Sequence, residues 1–213
     1  GVAVAVLTAS EATIYRRFGY GVASRANSVR LDRHRSAFAE APSGEVDLRL
    51  VHPDEAAGLV TVAYADHVTS CVGAVSRPAS FWPFVLGPTE TWVGGGDDFA
   101  VVAWRRGGDE PGRPTGYARY RVDQTPPAGQ WILKVGEVAA ADADTESHLW
   151  RYLLDVDLTA TIEARDAPLD DPLAWRLVDW RAYQVTGQHD HLWVRLIDPE
   201  VALAARTAGS DEA

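Results

Sequence analysis

Residues Thr8 to Gly21 read T-A-S-E-A-T-I-Y-R-R-F-G-Y-G and follow directly on Val2-Ala3-Val4-Ala5-Val6-Leu7. The near-continuous, valine-rich run before them predicts a strand covered on both faces in a parallel or mixed sheet. A helix should follow it. Ser10 sits where an N-cap hydroxyl accepts from the free backbone N–H groups of a first turn, and Glu11 places negative charge at the positive end of the helix dipole. Gly19 supplies a left-handed stop. The segment between has room for about two to three helical turns, and Tyr15 lies on them. Ile14, Tyr15 and Phe18 also share one apolar face at helical spacing, so the tyrosine can equally be a packing residue.

Composition bounds what lies around this segment. The chain has 213 residues, 46% of them hydrophobic, enough for a sizeable core in one large domain or two smaller ones. No apolar run approaches the roughly 18 to 20 residues that span a bilayer, and the first residues form neither a basic leader nor a cleavage site. The expectation is a cytoplasmic protein without a membrane span. Cys71, the single cysteine, cannot form an internal disulfide and reads as a plain thiol. The net charge of -10 argues against nucleic acid as a partner, since phosphate contacts call for a basic stripe, and favours solubility or a cationic ligand. Methionine is absent and the chain opens on Gly1 inside a strand pattern, which suggests truncation upstream.

Along the chain, Val22 to Arg35 is extended, and Ala41-Pro42-Ser43-Gly44 is a turn-rich break that suggests a domain boundary. The expected division is 1–40, 41–207 and a short tail, 208–213. Val46 to Val51 alternates like a half-buried strand, and Pro53-Asp54-Glu55 opens a helix to about Thr69. A second short helix spans Pro78 to Leu86, ended by Gly87-Pro88. Strands at Phe99 to Arg105, Gly116 to Val122 and Trp131 to Ala139 form an antiparallel meander. A helix at Thr145 to Leu154, a strand at Ala160 to Ala164, a helix at Pro172 to Val178, a strand at His191 to Ile197 and a closing helix from Pro199 with Asp198 as N-cap complete an α+β or α/β order. Repeats are absent by inspection.

T-A-S-E-x-x-I-Y-x-R-F-G-Y-G resembles the signature of the enhanced-intracellular-survival (Eis) type aminoglycoside acetyltransferases, in the GCN5-related N-acetyltransferase (GNAT) superfamily. Gly116 to Asp123, Leu149-Trp150-Arg151, Asp170 to Leu173 and Leu192 to Asp198 fall in the order and rough spacing of that family's second domain. The resemblance implies the end of a first GNAT domain followed by a second GNAT-like domain. It also implies a homo-oligomer, a hexamer in the family, and a sterol-carrier-like third domain outside this chain.

Such an enzyme holds acetyl-CoA, with no metal, so that a primary amine attacks the thioester carbonyl and a tyrosine protonates the departing thiolate. A phenol with the ordinary pKa of about 10 stays protonated at neutral pH and can donate to a thiolate whose conjugate acid lies near 8.5. Tyr15 matches that tyrosine, and Ser10 and Glu11 match residues that contact the cofactor. The implied acceptor is a cationic small molecule, aminoglycoside-like, or a lysine or peptide amine. The arginine- and glycine-rich turn that holds the CoA diphosphate, and the C-terminal carboxylate that serves as base, would both lie outside this chain, which alone is then expected to be inactive. The alternative is a non-catalytic GNAT-like scaffold, from Val46 onward, that shapes the substrate cleft and the oligomer. A third idea makes Trp82, Trp92 and Trp104 a peptide-binding surface, although tryptophans so placed usually pack in the core.

Other motifs carry less. His189-Asp190-His191 resembles a metal cluster but lacks a third ligand nearby and reads as a turn. Gly94 to Asp98 leads into a strand and reads as a loop. The sequence around Ser10 lacks G-x-S-x-G. Glu137, Glu163 and Asp166 read as solvated or structural carboxylates.

Overall fold

The computed structural model describes residues 2–86, 98–107 and 112–205. Gly87-Pro88, Trp92, Gly94 to Asp97 and the tail 208–213 lie outside the described residues. Two sheets organise the rest. The smaller holds β1 (Val4–Leu7), β10 (Trp193–Leu196) and β2 (Gly21–Val22) in that order, all antiparallel. The larger runs β4 (Val46–Val51), β5 (Asp98–Arg105), β6 (Gly116–Asp123), β7 (Trp131–Ala140), β8 (Thr159–Ala167), β3 (Arg25–Asp32), β9 (Tyr183–Asp190). The meander β4 to β7 is antiparallel as expected, and β7 and β8 are parallel, joined through helix α4 (Ala143–Asp155).

The expectation for β1 fails in one respect. Val4 and Val6 are 41% and 48% exposed while Ala5 and Leu7, the alternate residues, are half-buried. The strand lies in an antiparallel sheet with one open face, not in a parallel sheet covered on both sides, because among the described residues nothing packs over Val4 and Val6. The helices fare better. In α2 (Pro53–Ser70), Ala56, Val60, Ala63 and Tyr64 make a buried stripe at helical spacing, and it packs on Ala100, Val102, Tyr117 and Ala139 of β5 to β7. Leu149, Trp150, Leu153 and Leu154 of α4 fill the opposite face, against Val101, Ala118 and Leu133. Gly116 permits this approach. A Cβ there would lie 2.7 Å from Thr145 Cγ2 and 2.9 Å from the Ala139 carbonyl oxygen.

The two sheets exchange strands. β10 inserts between β1 and β2, while β3 inserts between β8 and β9. From Gly21 to Ser28 the chain pairs with Gly187 to Val194 in one constant antiparallel register, and this ribbon passes from the small sheet into the large one. Where it crosses, Ala23 and Ser24 N–H both donate to Leu192 O (2.8 and 3.1 Å), His191 N–H donates to Ser24 O, and Leu192 N–H donates to Ser24 Oγ. The turn at Ala41 to Gly44, where the sequence suggests a boundary, joins β3 to β4, which belong to the same sheet. A topological repeat emerges that the residues do not announce: strand, short helix, strand in β1–α1–β2 (α1, Ala12–Arg16), and again in β8–α5–β9 (α5, Leu173–Arg176), each pair separated by a strand from elsewhere.

Candidate active site

Tyr15 stands on α1, a single turn rather than two or three, because the helix ends at its C-cap Arg17 and Gly19, two residues on, takes φ +84°. Gly19 N–H closes the turn on Arg16 O, and Tyr20 N–H donates to Tyr15 O. Ser10 is not the N-cap. Glu11 occupies that position with extended backbone (φ -141°), and its side chain makes no cap hydrogen bond. Ser10 and Glu11 are both exposed, and the structure brings them together with Tyr15 in the one β1–α1 connection.

The Tyr15 ring is half-buried and meets Tyr20 edge to face, with centroids 6.1 Å apart. Its hydroxyl has no hydrogen-bond partner among the described residues. Five other tyrosines are committed. Tyr64 Oη donates to Val75 O, Tyr117 Oη to Glu137, Tyr183 Oη to Asp171, and Tyr120 and Tyr152 bond each other. Beside α1 runs an open groove of about 670 Å³, lined by Arg17, Phe18, Gly19, Val194, Arg195 and Leu196.

A second polar constellation sits on the large sheet. β7 and β8 are in parallel register only from Trp131↔Thr159 to Val135↔Ala164; beyond that, β7 follows β6 and β8 follows β3, so the two strands part. At the parting point Gly136 is an extra residue in β7, since Arg119 pairs with Glu137 and Tyr120 with Val135. A bulge reverses the alternation of side chains, and here it turns Glu137 toward α2. Arg77 Nη1 and Nη2 donate to the two Glu137 oxygens at 3.0 and 2.5 Å, and Tyr117 Oη donates to Oε2 at 2.6 Å. The guanidinium carbon lies 3.9 Å from the Tyr64 ring centroid and 5.3 Å from that of Trp82. Burial alone would lower the Arg77 pKa, but the Glu137 hydrogen bond and charge outweigh it and raise it. Burial first, then Glu137, pushes the Tyr117 phenol far above its ordinary value.

The helix starts of the large sheet are capped from within. Asp142 accepts from Thr145 N and Thr145 Oγ1 at the start of α4, whose first turn also carries Asp144 and Glu146. Asp171 accepts from Leu173 N and Tyr183 Oη, each at 2.9 Å, ahead of α5. Burial raises the Asp171 pKa against the pull of those two donors. His189 Nε2 lies 2.9 Å from Asp166 Oδ1, and Glu163 pairs with Arg30, so these residues form cross-strand pairs on the large sheet.

Residues 73–196 match the family described as Acetyltransferase (GNAT) domain. The N-acetyltransferase Eis of Mycobacterium tuberculosis is 35% identical over 97% of this chain. The chain belongs to the Eis-like branch of the GNAT N-acetyltransferases. An uncharacterized N-acetyltransferase of Streptomyces coelicolor is 36% identical over the same share, and the crystal structure of Eis1 from Mycobacterium abscessus superposes with a TM-score of 0.70 at 32% identity, over 96% of this chain and 50% of that one. The chain spans about half the length of the curated relatives it matches. The fold is therefore that of a GNAT acetyltransferase, and the family is one of acyl-transferring enzymes. The matched GNAT segment starts well after Tyr15, on the large-sheet side of the chain.

Sequence reasoning placed Tyr15, Ser10 and Glu11 in one connection but missed the Arg77–Glu137–Tyr117 cluster. Glu137 reads from sequence as a solvated or structural carboxylate, and the bulge at Gly136 that turns it toward α2 leaves no sign in the sequence. Nothing in the sequence near Arg77 marks it as a partner for a residue 60 positions away.

Proposed function

We propose that Tyr15 is the general acid of an acetyl-CoA-dependent N-acetyltransferase whose full-length chain completes the site around it. The single observation that carries this is its hydroxyl: a half-buried phenol on the short helix after β1, with no partner among the described residues, a state it shares with its ring neighbour Tyr20 while the other five tyrosines have bonded hydroxyls. The co-substrate supplies an activated acetyl thioester. The acceptor's neutral amine attacks the thioester carbonyl and forms the new C–N bond, the nitrogen gives up its extra proton to water, the C–S bond breaks, and Tyr15 Oη gives its proton to the leaving sulfur before regaining one from solvent. Ser10 and Glu11, exposed at the β1–α1 turn, are placed to meet the cofactor's amide groups. Arg17 and Arg195 have no carboxylate partner among the described residues and make the adjoining groove suited to an anionic co-substrate. The acceptor is a cationic primary amine, aminoglycoside-like or a lysine, in keeping with a net charge of -10. The protein works in the cytoplasm as a homo-oligomer.

A second reading concerns the large sheet alone: it is a scaffold that does not bind acetyl-CoA. What favours it is the acidic start of α4, where Asp142 already occupies the first-turn donor and Asp144 and Glu146 repel a diphosphate. Both readings meet one experiment. In the full-length protein, calorimetry should find one acetyl-CoA per chain, and Tyr15→Phe should keep that binding while losing turnover. Unchanged turnover would reject Tyr15, and two cofactors per chain would reject the scaffold.

A further inference from the structure

We propose that Tyr64, Trp82, Tyr117 and Glu137 form a binding site for a guanidinium or alkylammonium group, which Arg77 fills here as a tethered occupant. The chemistry of the walls is that of cation recognition: a carboxylate taken in bidentate fashion, a phenol that orients it, and two ring faces. Tyr64 and Trp82 are themselves set edge to face at 5.4 Å, so the rings form a corner rather than a flat surface.

The walls and the occupant have different origins. Tyr64 is on α2, Trp82 opens α3 (Trp82–Leu86), and Tyr117 and Glu137 are on adjacent strands; Tyr117 is fully buried and Tyr64 and Trp82 nearly so. Arg77 comes from the irregular segment between Cys71 and Pro78, where Gly73 takes φ +89° and Val72 and Val75 face outward. Packing in the core therefore holds the three aromatic walls apart from what Arg77 contributes. Besides Arg77, the arm is held to α2 by the Tyr64 Oη to Val75 O bond. A free cation in the site and a seated arm are mutually exclusive, so binding such a cation releases residues 71–78 from the sheet. This assignment stands apart from that of Tyr15, and its test needs no acetyl-CoA.

Arg77→Ala should lower the thermal midpoint by several degrees, and millimolar methylguanidinium should restore at least half of the loss, saturably. The Arg77→Ala, Glu137→Gln double variant should gain nothing beyond what sodium chloride gives. Absence of rescue, or equal rescue in the double variant, overturns the proposal. If Arg77→Ala does not fold, the wild-type chain decides, labelled with a dye on Cys71, its single and exposed cysteine. Methylguanidinium should then lower the dye's anisotropy saturably where sodium chloride of equal ionic strength does not; identical responses to the two salts would overturn the proposal.

Discussion

β1–α1–β2 and β8–α5–β9 repeat one arrangement with opposite outcomes. Each is a strand, a helix of about one turn and a return strand, and each has a strand from elsewhere in the sequence, β10 or β3, between its two. The penultimate helical residue is Tyr15 in the first and Trp175 in the second, which is 77% exposed and stacks on Trp180 at 6.1 Å. An indole N–H has no acid function at neutral pH, and α5 has its first-turn donor closed by Asp171, whereas Glu11 leaves that of α1 open. The same local architecture thus leaves one helix start open to solvent, where the proposed acid Tyr15 stands, and makes a structural corner of the other, where a buried carboxylate seals it.

The largest effect expected from breaking this contrast is on turnover. Tyr15→Phe in the full-length protein should lower kcat by about 100-fold, the low end for general acid catalysis, while Trp175→Tyr leaves it within about twofold because no acid is needed there; steady-state kinetics with saturating acetyl-CoA separates them. Next comes packing. Gly116→Ala should destabilise by about 1–3 kcal/mol, as expected of overpacking against backbone, and chemical denaturation should show it as a lower midpoint at unchanged slope. Asp171→Ala, which strips Leu173 N and Tyr183 Oη of their acceptor, should cost about 1–2 kcal/mol, against less than about 0.5 kcal/mol for the exposed Glu11→Ala. The smallest signal is a slope with pH. Because the folded-state pKa of Asp171 is raised, the wild type loses this group's contribution as pH rises from 3.8, the ordinary carboxyl value, through the raised one. Asp171→Asn should therefore gain on the wild type across that window and hold a constant difference above it, in melts at stepped pH.

Most elements were legible because their patterns are local. β4 alternates along most of its length, the strands after it are set off by Gly/Pro-rich turns, α2 repeats its apolar residues at helical spacing, and Asp198 caps the closing helix, α6 (Pro199–Ala204), as expected, accepting from Glu200 N and Val201 N. β9 was missed because Tyr-Gln-Val-Thr-Gly-Gln-His-Asp is exposed along most of its length and carries no alternation to read. Ser10 looked like a cap because its residue type suits one, yet the helix begins one residue later. The strand exchange could not be read at all. It rests on pairings such as Ala5 with Arg195, which leave no periodic trace in either segment.

That exchange makes the site around Tyr15 depend on the order of synthesis. β1 and β2 touch no strand but β10 among the described residues, and Trp193, 2% exposed, joins Leu7 to Val22 across it. Among the described residues, the pairing of β1 and β2 through β10 can close only once Leu196 has emerged. Closing a loop of this length is slow relative to the local meander, so the large sheet can form first and the small sheet last. Chains cut short before β10 would then keep the pairings of β4 to β8 while losing those that β10 makes to β1 and β2.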